Sequence, residues 1–267
     1  MYKAIRYFDV TLRDGLQAVK NIYSLQEKKN ILHDIVRKYN PLSMEVGSLV
    51  SPKILPQMVD SMRLYEYAKK TYPRIDFYLL VPPTPKYIHI AKELNLEHVS
   101  FITSVSEAFQ QKNINQSVGL TKETIEKSLD NFAKVKLYVS CITECPITQR
   151  QNIEHITNEL KWYAQLPKLQ EICISDTCGS LGQEEFKTIL KNTEINPERL
   201  SLHLHVNPER IAETNAIIKH ALFSGIRRFD VTCFENMGGC SVTIASQKLC
   251  GNLSYEQLKL ALATVKQ

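Results

Sequence analysis

Two histidines separated by one residue, His203 and His205, are the most informative candidates for chemistry in this chain. They lie in an apolar, strand-like segment, where side chains alternate between two faces, so both imidazoles point the same way. If Leu202 and Leu204 face outward, both imidazoles face the interior. Two inward imidazoles on one strand indicate a metal site, whereas a pair of hydrogen-bonded core histidines is the alternative that spacing leaves open.

Oxygen ligands for such a metal are available elsewhere in the chain. Asp14 follows the first strand-like segment, and Asn252 lies near the carboxyl end of the sequence. Together with the two imidazoles they make a mixed nitrogen and oxygen set that leaves positions for water or substrate oxygens. Such a set suits Mg²⁺ or Mn²⁺ better than a closed structural zinc site, which favours thiolates.

A glycine-rich loop brings a thiol into consideration. Gly238 and Gly239 precede Cys240, and two glycines allow a mobile loop that approaches closely to its surroundings. An electropositive setting would make this cysteine reactive, and a nearby metal and Arg13 could supply one. The alternative is a small, buried, unreactive side chain beside a turn.

The elements that must position these residues alternate between strand and helix along the whole chain, in eight rounds. The predicted strands are Lys3 to Thr11, Leu42 to Ser48, Ile75 to Val81, His98 to Thr103, Lys136 to Cys141, Glu171 to Ser175, Leu200 to His205 and Arg228 to Thr232. The helices are predicted to begin near Ser24, Pro56, Pro85, Thr121, Thr148, Gln183, Pro208 and Ser254.

Strict alternation implies parallel pairing with helices outside, and eight repeats close naturally into an α/β fold of the (β/α)₈ TIM-barrel type. We therefore predict a single domain over residues 1–267. The competing architecture is a doubly wound open sheet, but no glycine-rich nucleotide-binding motif supports it. In a barrel the carboxyl ends of the strands meet at one mouth, where Arg13, Asp14, Glu45, Asp176 and the two histidines would gather.

Composition excludes several classes of protein. The chain is 43% hydrophobic, and its net charge of +5 is spread along its length, which argues against a dedicated nucleic-acid surface. No apolar run is long enough to cross a membrane or resembles a signal peptide. Seven scattered cysteines in a chain of this size favour reduced thiols, so we predict a cytoplasmic protein without disulfides.

The segment from Asp9 to Gln17, DVTLRDGLQ, resembles the opening of the DRE-TIM metallolyase (HMGL-like) family, whose members are metal-dependent barrel lyases and acyl-condensing enzymes. Within that family the sequence is most similar to the 3-hydroxy-3-methylglutaryl-CoA lyases. The similarity rests on EVGSLVSPK from Glu45, PQM from Pro56, GGC from Gly238 and GNL from Gly251. It extends in order over nearly the whole chain.

The resemblance implies a carbon–carbon lyase that uses Mg²⁺ or Mn²⁺ to cleave 3-hydroxy-3-methylglutaryl-CoA into acetoacetate and acetyl-CoA. It further implies a homodimer with a small acyl-CoA or hydroxy-acid substrate. It implies that Arg13 binds the substrate carbonyl oxygens, that Cys240 is a catalytic thiol, and that Glu45 and Asp176 are carboxylates near the substrate. A histidine bound to metal cannot easily also be the base, so Asp176, Glu45 or a metal-bound water are the candidates for that role. Gln17 and Lys20 would contact the substrate. The implied metal ligands are Asp14, His203, His205 and Asn252.

The sequence departs from the lyase pattern at several places. Val206 and Asn207 follow the second histidine in place of an acidic residue, and Ser241 to Thr243 replaces the usual Pro-Tyr-Ala after the cysteine. Two alternatives therefore stay open within the family: an aldolase-type lyase acting on another hydroxy acid, and a Claisen-type condensing enzyme. A third is a catalytically weakened homologue that binds a metal and an acyl ligand.

Overall fold

Eight parallel strands form the closed barrel that the sequence predicts. The computed structural model describes residues 4–239 and 250–265. The last strand pairs with both the first, through Arg228 and Arg6, and the seventh, through Arg228 and Ser201, and this double pairing closes the sheet. The strands are β1 Arg6–Asp9, β2 Ser43–Ser48, β3 Asp76–Leu80, β4 His98–Ser104, β5 Lys134–Ser140, β6 Glu171–Asp176, β7 Leu200–Val206 and β8 Arg228–Val231.

Helices follow the strands and cover the outside of the barrel. Their bounds are α1 Leu25–Tyr39, α2 Ser61–Thr71, α3 Pro85–Glu93, α4 Glu107–Ile114, α5 Val118–Ser128, α6 Ile153–Ala164, α7 Gln183–Thr193, α8 Ile211–Phe223 and α9 Tyr255–Val265. Within the described ranges, none of these helices has the length and apolar character needed to cross a bilayer.

Most helix predictions agree with the structure. The helix predicted near Pro56 begins instead at Ser61, after a 3₁₀ turn over Pro56–Met58, and two further differences lie around β4 and β5. The sequence predicts one helix after β4, whereas two are present, because α4 has no helical hydrophobic period to reveal it and begins only at the cap that Ser106 provides to the Phe109 N–H. The helix predicted near Thr148 begins instead at Ile153, after a two-stranded hairpin, because Asn152 accepts bonds from the first backbone N–H groups of α6.

Alternation along β7 divides the strand between the barrel interior and the helical layer. Leu202 and Leu204 belong to the large apolar cluster that also contains helix residues such as Ile217. His203 and His205 point into the barrel, as the sequence predicts, and both are buried. The strand therefore aims two imidazoles at the mouth from within a packed core.

The chain leaves β1 through a single π-helical turn, Thr11–Gly15, in which all five residues are buried. The Gly15 N–H donates to the Val10 carbonyl at 3.0 Å, which closes the wide turn. Short π-helical turns are rare and often occur at functional sites. Here the turn places consecutive residues, Arg13 and Asp14, together at the mouth.

Candidate active site

A cavity of about 350 Å³ opens at the carboxyl ends of the strands. Arg13, Asp14, His203 and His205 line one side of it, with hydroxyl-bearing residues from β5 and β6 beside them. Most of the other lining residues are apolar and come from the ends of β2 to β4 and from α3 and α4, with Thr84, Lys112, Asn113 and Asn115 among them. The apolar lining residues are Val50, Ile54, Leu55, Leu80, Pro82, Tyr87, Ile102, Phe109 and Ile114.

The two imidazoles are arranged as a pair of nitrogen ligands. His203 Nδ1 lies 3.2 Å from the Asp230 carboxylate, and His205 Nδ1 lies 2.8 Å from the Thr177 carbonyl oxygen. Each of these acceptors requires a proton on Nδ1, which leaves a lone pair on Nε2 of the neutral ring. The two Nε2 atoms lie 3.3 Å apart, so two lone pairs face a common point that a cation would satisfy.

Oxygen donors meet the imidazoles at the same point. Asp14 Oδ2 lies 3.8 Å from His203 Nε2, and the potential ligand atoms of Asp14, His203 and His205 all lie within 4.8 Å of one another. Asn252 Nδ2 donates to Asp14 Oδ2 at 2.6 Å. Asn252 Oδ1 is buried and has no hydrogen-bond partner in the described part of the chain, so an oxygen ligand is also available.

The protonation states of this cluster suit a divalent cation. Burial, together with the neighbouring His203, lowers the pKa of His205 to about 4, which keeps this ring neutral near pH 7. Burial by itself raises the pKa of Asp14, but the Arg13 guanidinium, with the two histidines, holds it well below its ordinary value. A neutral imidazole and an ionised carboxylate are the forms that bind metal. The donor set therefore fits a hard or borderline divalent ion.

Arg13 is held rigidly beside the cluster. Its Nε donates to Glu45 Oε2, its Nη1 donates to Asp14 Oδ1 at 2.5 Å, and its guanidinium carbon lies 5.4 Å from the centre of the Tyr138 ring. Burial alone lowers the pKa of Arg13, but the Glu45 and Asp14 carboxylates raise it above its ordinary value, so the group stays charged. Nη2 is the nitrogen that neither carboxylate contacts.

The comparisons with known proteins agree with this geometry. The HMGL-like family model matches residues 4–266. The chain belongs to the HMGL-like family. Over 266 residues it is 29% identical to a 3-hydroxy-3-isohexenylglutaryl-CoA/hydroxy-methylglutaryl-CoA lyase of Pseudomonas aeruginosa, covering 96% of this chain and 84% of that one. It is 28% identical to the human mitochondrial hydroxymethylglutaryl-CoA lyase, covering 96% of this chain and 77% of the relative.

Solved structures show the same barrel. A hydroxymethylglutaryl-CoA lyase from Pseudomonas aeruginosa superposes with a TM-score of 0.84 at 27% identity, covering 99% of this chain and 86% of that chain. An HMG-CoA lyase from Acinetobacter baumannii, solved in complex with coenzyme A and 3-methylmalate, gives a TM-score of 0.85 at 22% identity, covering 98% and 84%. The latter likeness concerns the fold alone.

The remaining residues singled out from the sequence of this HMGL-like protein lie at different depths. Gln17 lines the cavity, whereas Lys20 is exposed and does not. Glu45 is fully buried and does not line the cavity, but its carboxylate contacts Arg13 and Tyr138, which do. Cys240 lies outside the described residues.

Asp176 is buried at the end of β6 and does not line the cavity. Its carboxylate accepts from the backbone N–H groups of Ser180 and Leu181, each at 3.1 Å. Burial raises the pKa of Asp176 to about 6, although these bonds oppose the shift. Its position therefore shapes the loop that begins at Thr177, whose carbonyl holds His205.

Sequence reasoning missed Tyr138 and Asp230, two interior residues of the HMGL-like barrel that contact the cluster. Tyr138 packs edge-on against His203, with ring centres 5.6 Å apart, and donates to Glu45 at 3.4 Å. Asp230 contacts His203. Each alternates with apolar neighbours in a strand, as the histidines do, and this alternation is the signal that could have identified them.

Gly238 provides a test of the cluster. Its backbone has a φ of +88°, and a β-carbon there would lie 2.1 Å from Asn252 Nδ2 and 2.7 Å from Asp14 Oδ2. We expect Gly238→Ala to separate Asp14 from Asn252 and so to weaken Mn²⁺ binding by about 10-fold or more. A loss of this size is typical when a residue hydrogen-bonded to a metal ligand is removed. Calorimetric titration with Mn²⁺ measures the change.

Gly119→Ala is the matched control, because a β-carbon at Gly119 meets no atom within 4 Å. If both variants bind Mn²⁺ as the parent does, the close approach of Gly238 to the cluster has no role in it.

Proposed function

We propose that this protein is a divalent-metal-dependent carbon–carbon lyase that cleaves 3-hydroxy-3-methylglutaryl-CoA into acetoacetate and acetyl-CoA. The observation that carries the proposal is the convergence of two imidazole nitrogens, an ionised carboxylate and a fixed guanidinium on one cavity. The family and the relatives named as lyases of this substrate support it.

The metal would be held by Asp14, His203, His205 and Asn252. When bound there, Mg²⁺ or Mn²⁺ would lower the pKa of the tertiary hydroxyl group of the substrate and orient it. This set holds nitrogen and oxygen ligands and no thiolate, which favours these ions over a structural zinc.

Arg13 would stabilise the negative charge that forms when the bond between C2 and C3 breaks. A water molecule in the cavity would accept the proton of the tertiary hydroxyl group, because Asp176 and Glu45 do not line the cavity. The hydroxyl oxygen then forms the new carbonyl group, and the electron pair of the broken bond stays on the thioester fragment as an enolate, whose oxygen carries the developing charge. The fixed guanidinium presents Nη2 without reorganising, because Glu45 and Asp14 hold its other nitrogens. We propose that Glu45 acts by orienting Arg13.

Three further roles follow from placement or from family resemblance. Asp176 would fix the loop at Thr177 and, through it, the ring of His205. Cys240, the residue that follows Gly239 in the sequence, would deliver the proton that the enolate carbon takes up, as the family resemblance implies. Gln17 would contact the substrate from the cavity wall. Lys20, the homodimer and the cytoplasmic location stay predictions.

The deciding experiment is an assay of acetyl-CoA and acetoacetate release from 3-hydroxy-3-methylglutaryl-CoA. We expect turnover with Mg²⁺ or Mn²⁺, loss of turnover with EDTA, and recovery when metal is added back. The panel should include 3-hydroxy-3-isohexenylglutaryl-CoA, since the apolar cavity wall offers contacts to a longer chain. No turnover of 3-hydroxy-3-methylglutaryl-CoA, together with turnover of another hydroxyacyl compound, would assign the protein to an aldolase-type lyase instead.

A further inference from the structure

We propose that Asp230, fixed by Lys136, is a positioning residue that prepares His203 for metal binding. The inference rests on the proposed metal site but concerns two residues outside the ligand set. Both lie inside the barrel, one on β8 and the other on β5, and both are buried, with Lys136 fully so. The Lys136 ammonium packs 4.0 Å from the centre of the Phe8 ring, but burying two charged groups in a barrel interior is costly unless they are paired.

The contacts form a chain of three groups. Lys136 Nζ donates to Asp230 Oδ1 at 2.6 Å, and the other carboxylate oxygen, Oδ2, lies 3.2 Å from His203 Nδ1. The ammonium therefore occupies one oxygen, and the imidazole meets the other, to which the Cys173 thiol also donates weakly at 3.9 Å. A carboxylate on Nδ1 holds the proton there, fixes the ring plane and makes Nε2 a better ligand.

Charge pairing supports the same arrangement. The side chains of Lys136 and Asp230 are each only 1% exposed, and the ammonium also lies 2.7 Å from Glu171. A buried carboxylate paired with an ammonium accepts the Nδ1 proton of the imidazole as a charge-assisted hydrogen bond.

The two histidines are consequently positioned by different means. His205 Nδ1 is held by a backbone carbonyl at Thr177, which no substitution removes, whereas His203 depends on a side chain. Only the group that positions His203 can therefore be removed by substituting a side chain.

Glu171 supplies a matched control. It is the second carboxylate partner of Lys136, at 2.7 Å against 2.6 Å for Asp230, and it also contacts Arg228. Asp230→Asn and Glu171→Gln each remove one negative charge beside the same ammonium, but only Asp230 touches His203. If Asp230 acts through His203, the two variants will differ in Mn²⁺ affinity. If it acts only through the charge of Lys136, they will lose the same affinity.

The experiment measures Mn²⁺ binding to the whole chain by titration calorimetry, without substrate. We expect Asp230→Asn to weaken Mn²⁺ binding by about 10- to 100-fold, the range seen when an outer partner of a metal-bound histidine is lost, and Glu171→Gln to change it by less than about twofold. Nitrogen NMR of the metal-free histidines should show the Nδ1–H form of His203 in the parent and in Glu171→Gln. The same form should be depleted in Asp230→Asn.

Equal losses in the two variants, or parental Mn²⁺ affinity in Asp230→Asn, would overturn the inference. If Asp230→Asn does not fold, the double variant Lys136→Met with Asp230→Asn removes the ion pair as a unit, and it should bind Mn²⁺ at least about 10-fold more weakly than the parent. Parental affinity in a folded double variant would equally refute it. Failure of the parent itself to bind Mn²⁺ or Mg²⁺ would instead remove the proposed metal site.

Discussion

Arg13→Lys is expected to lower kcat for 3-hydroxy-3-methylglutaryl-CoA by about 10²- to 10³-fold, the loss typical of removing one group that stabilises a developing oxyanion. The substitution keeps the positive charge but loses the planar fork. A single ammonium cannot contact Glu45 and Asp14 and also present a fixed donor to the substrate. Steady-state assays of acetyl-CoA release at saturating Mn²⁺ measure the effect.

The control for this prediction is Arg6→Lys. Arg6 is the first residue of β1, the strand that leads into the turn containing Arg13, and it is exposed. It should keep the parental kcat. A value for Arg13→Lys within tenfold of the parent would show that charge alone, and not the fork held by two carboxylates, supports the reaction.

His205→Ala is expected to weaken Mn²⁺ binding because it deletes a proposed ligand. The loss should exceed the ~10–100-fold loss of affinity that follows when a residue hydrogen-bonded to a metal ligand is removed. It also leaves His203 Nε2 without the opposed nitrogen 3.3 Å away that defines the ligand pair. Calorimetry with Mn²⁺ alone checks the prediction, and turnover at increasing Mn²⁺ shows whether added metal restores activity.

Cys240→Ser should affect turnover and not metal binding if the thiol transfers a proton and does not bind the metal. It should lower turnover far more than it lowers Mn²⁺ affinity, and His205→Ala should do the reverse. Parental turnover in Cys240→Ser would refute the proposed thiol role. Unchanged Mn²⁺ affinity in His205→Ala would remove this histidine from the ligand set.

The barrel itself was predictable from local sequence. Alternating apolar residues specify strands such as β7, and helix caps such as Ser24 with Glu27 specify where helices begin. Eight strand–helix repeats are compatible with few fold topologies, because the connections between parallel strands are right-handed and place the helices outside the sheet. α4 escaped prediction because its residues carry no helical hydrophobic period, although Phe109 and Ile114 on it line the cavity.

By itself, the sequence determined which side chains point inward and which strand ends meet, so it placed Asp14, His203 and His205 at one mouth. Strand periodicity is a local property and can be read from spacing. Only the tertiary structure decided what each group contacts: that Asp230 holds His203, that Tyr138 packs against it, and that Asp176 turns away to the backbone of its own loop. These contacts join residues up to 65 positions apart, and their geometry depends on closure of the whole barrel.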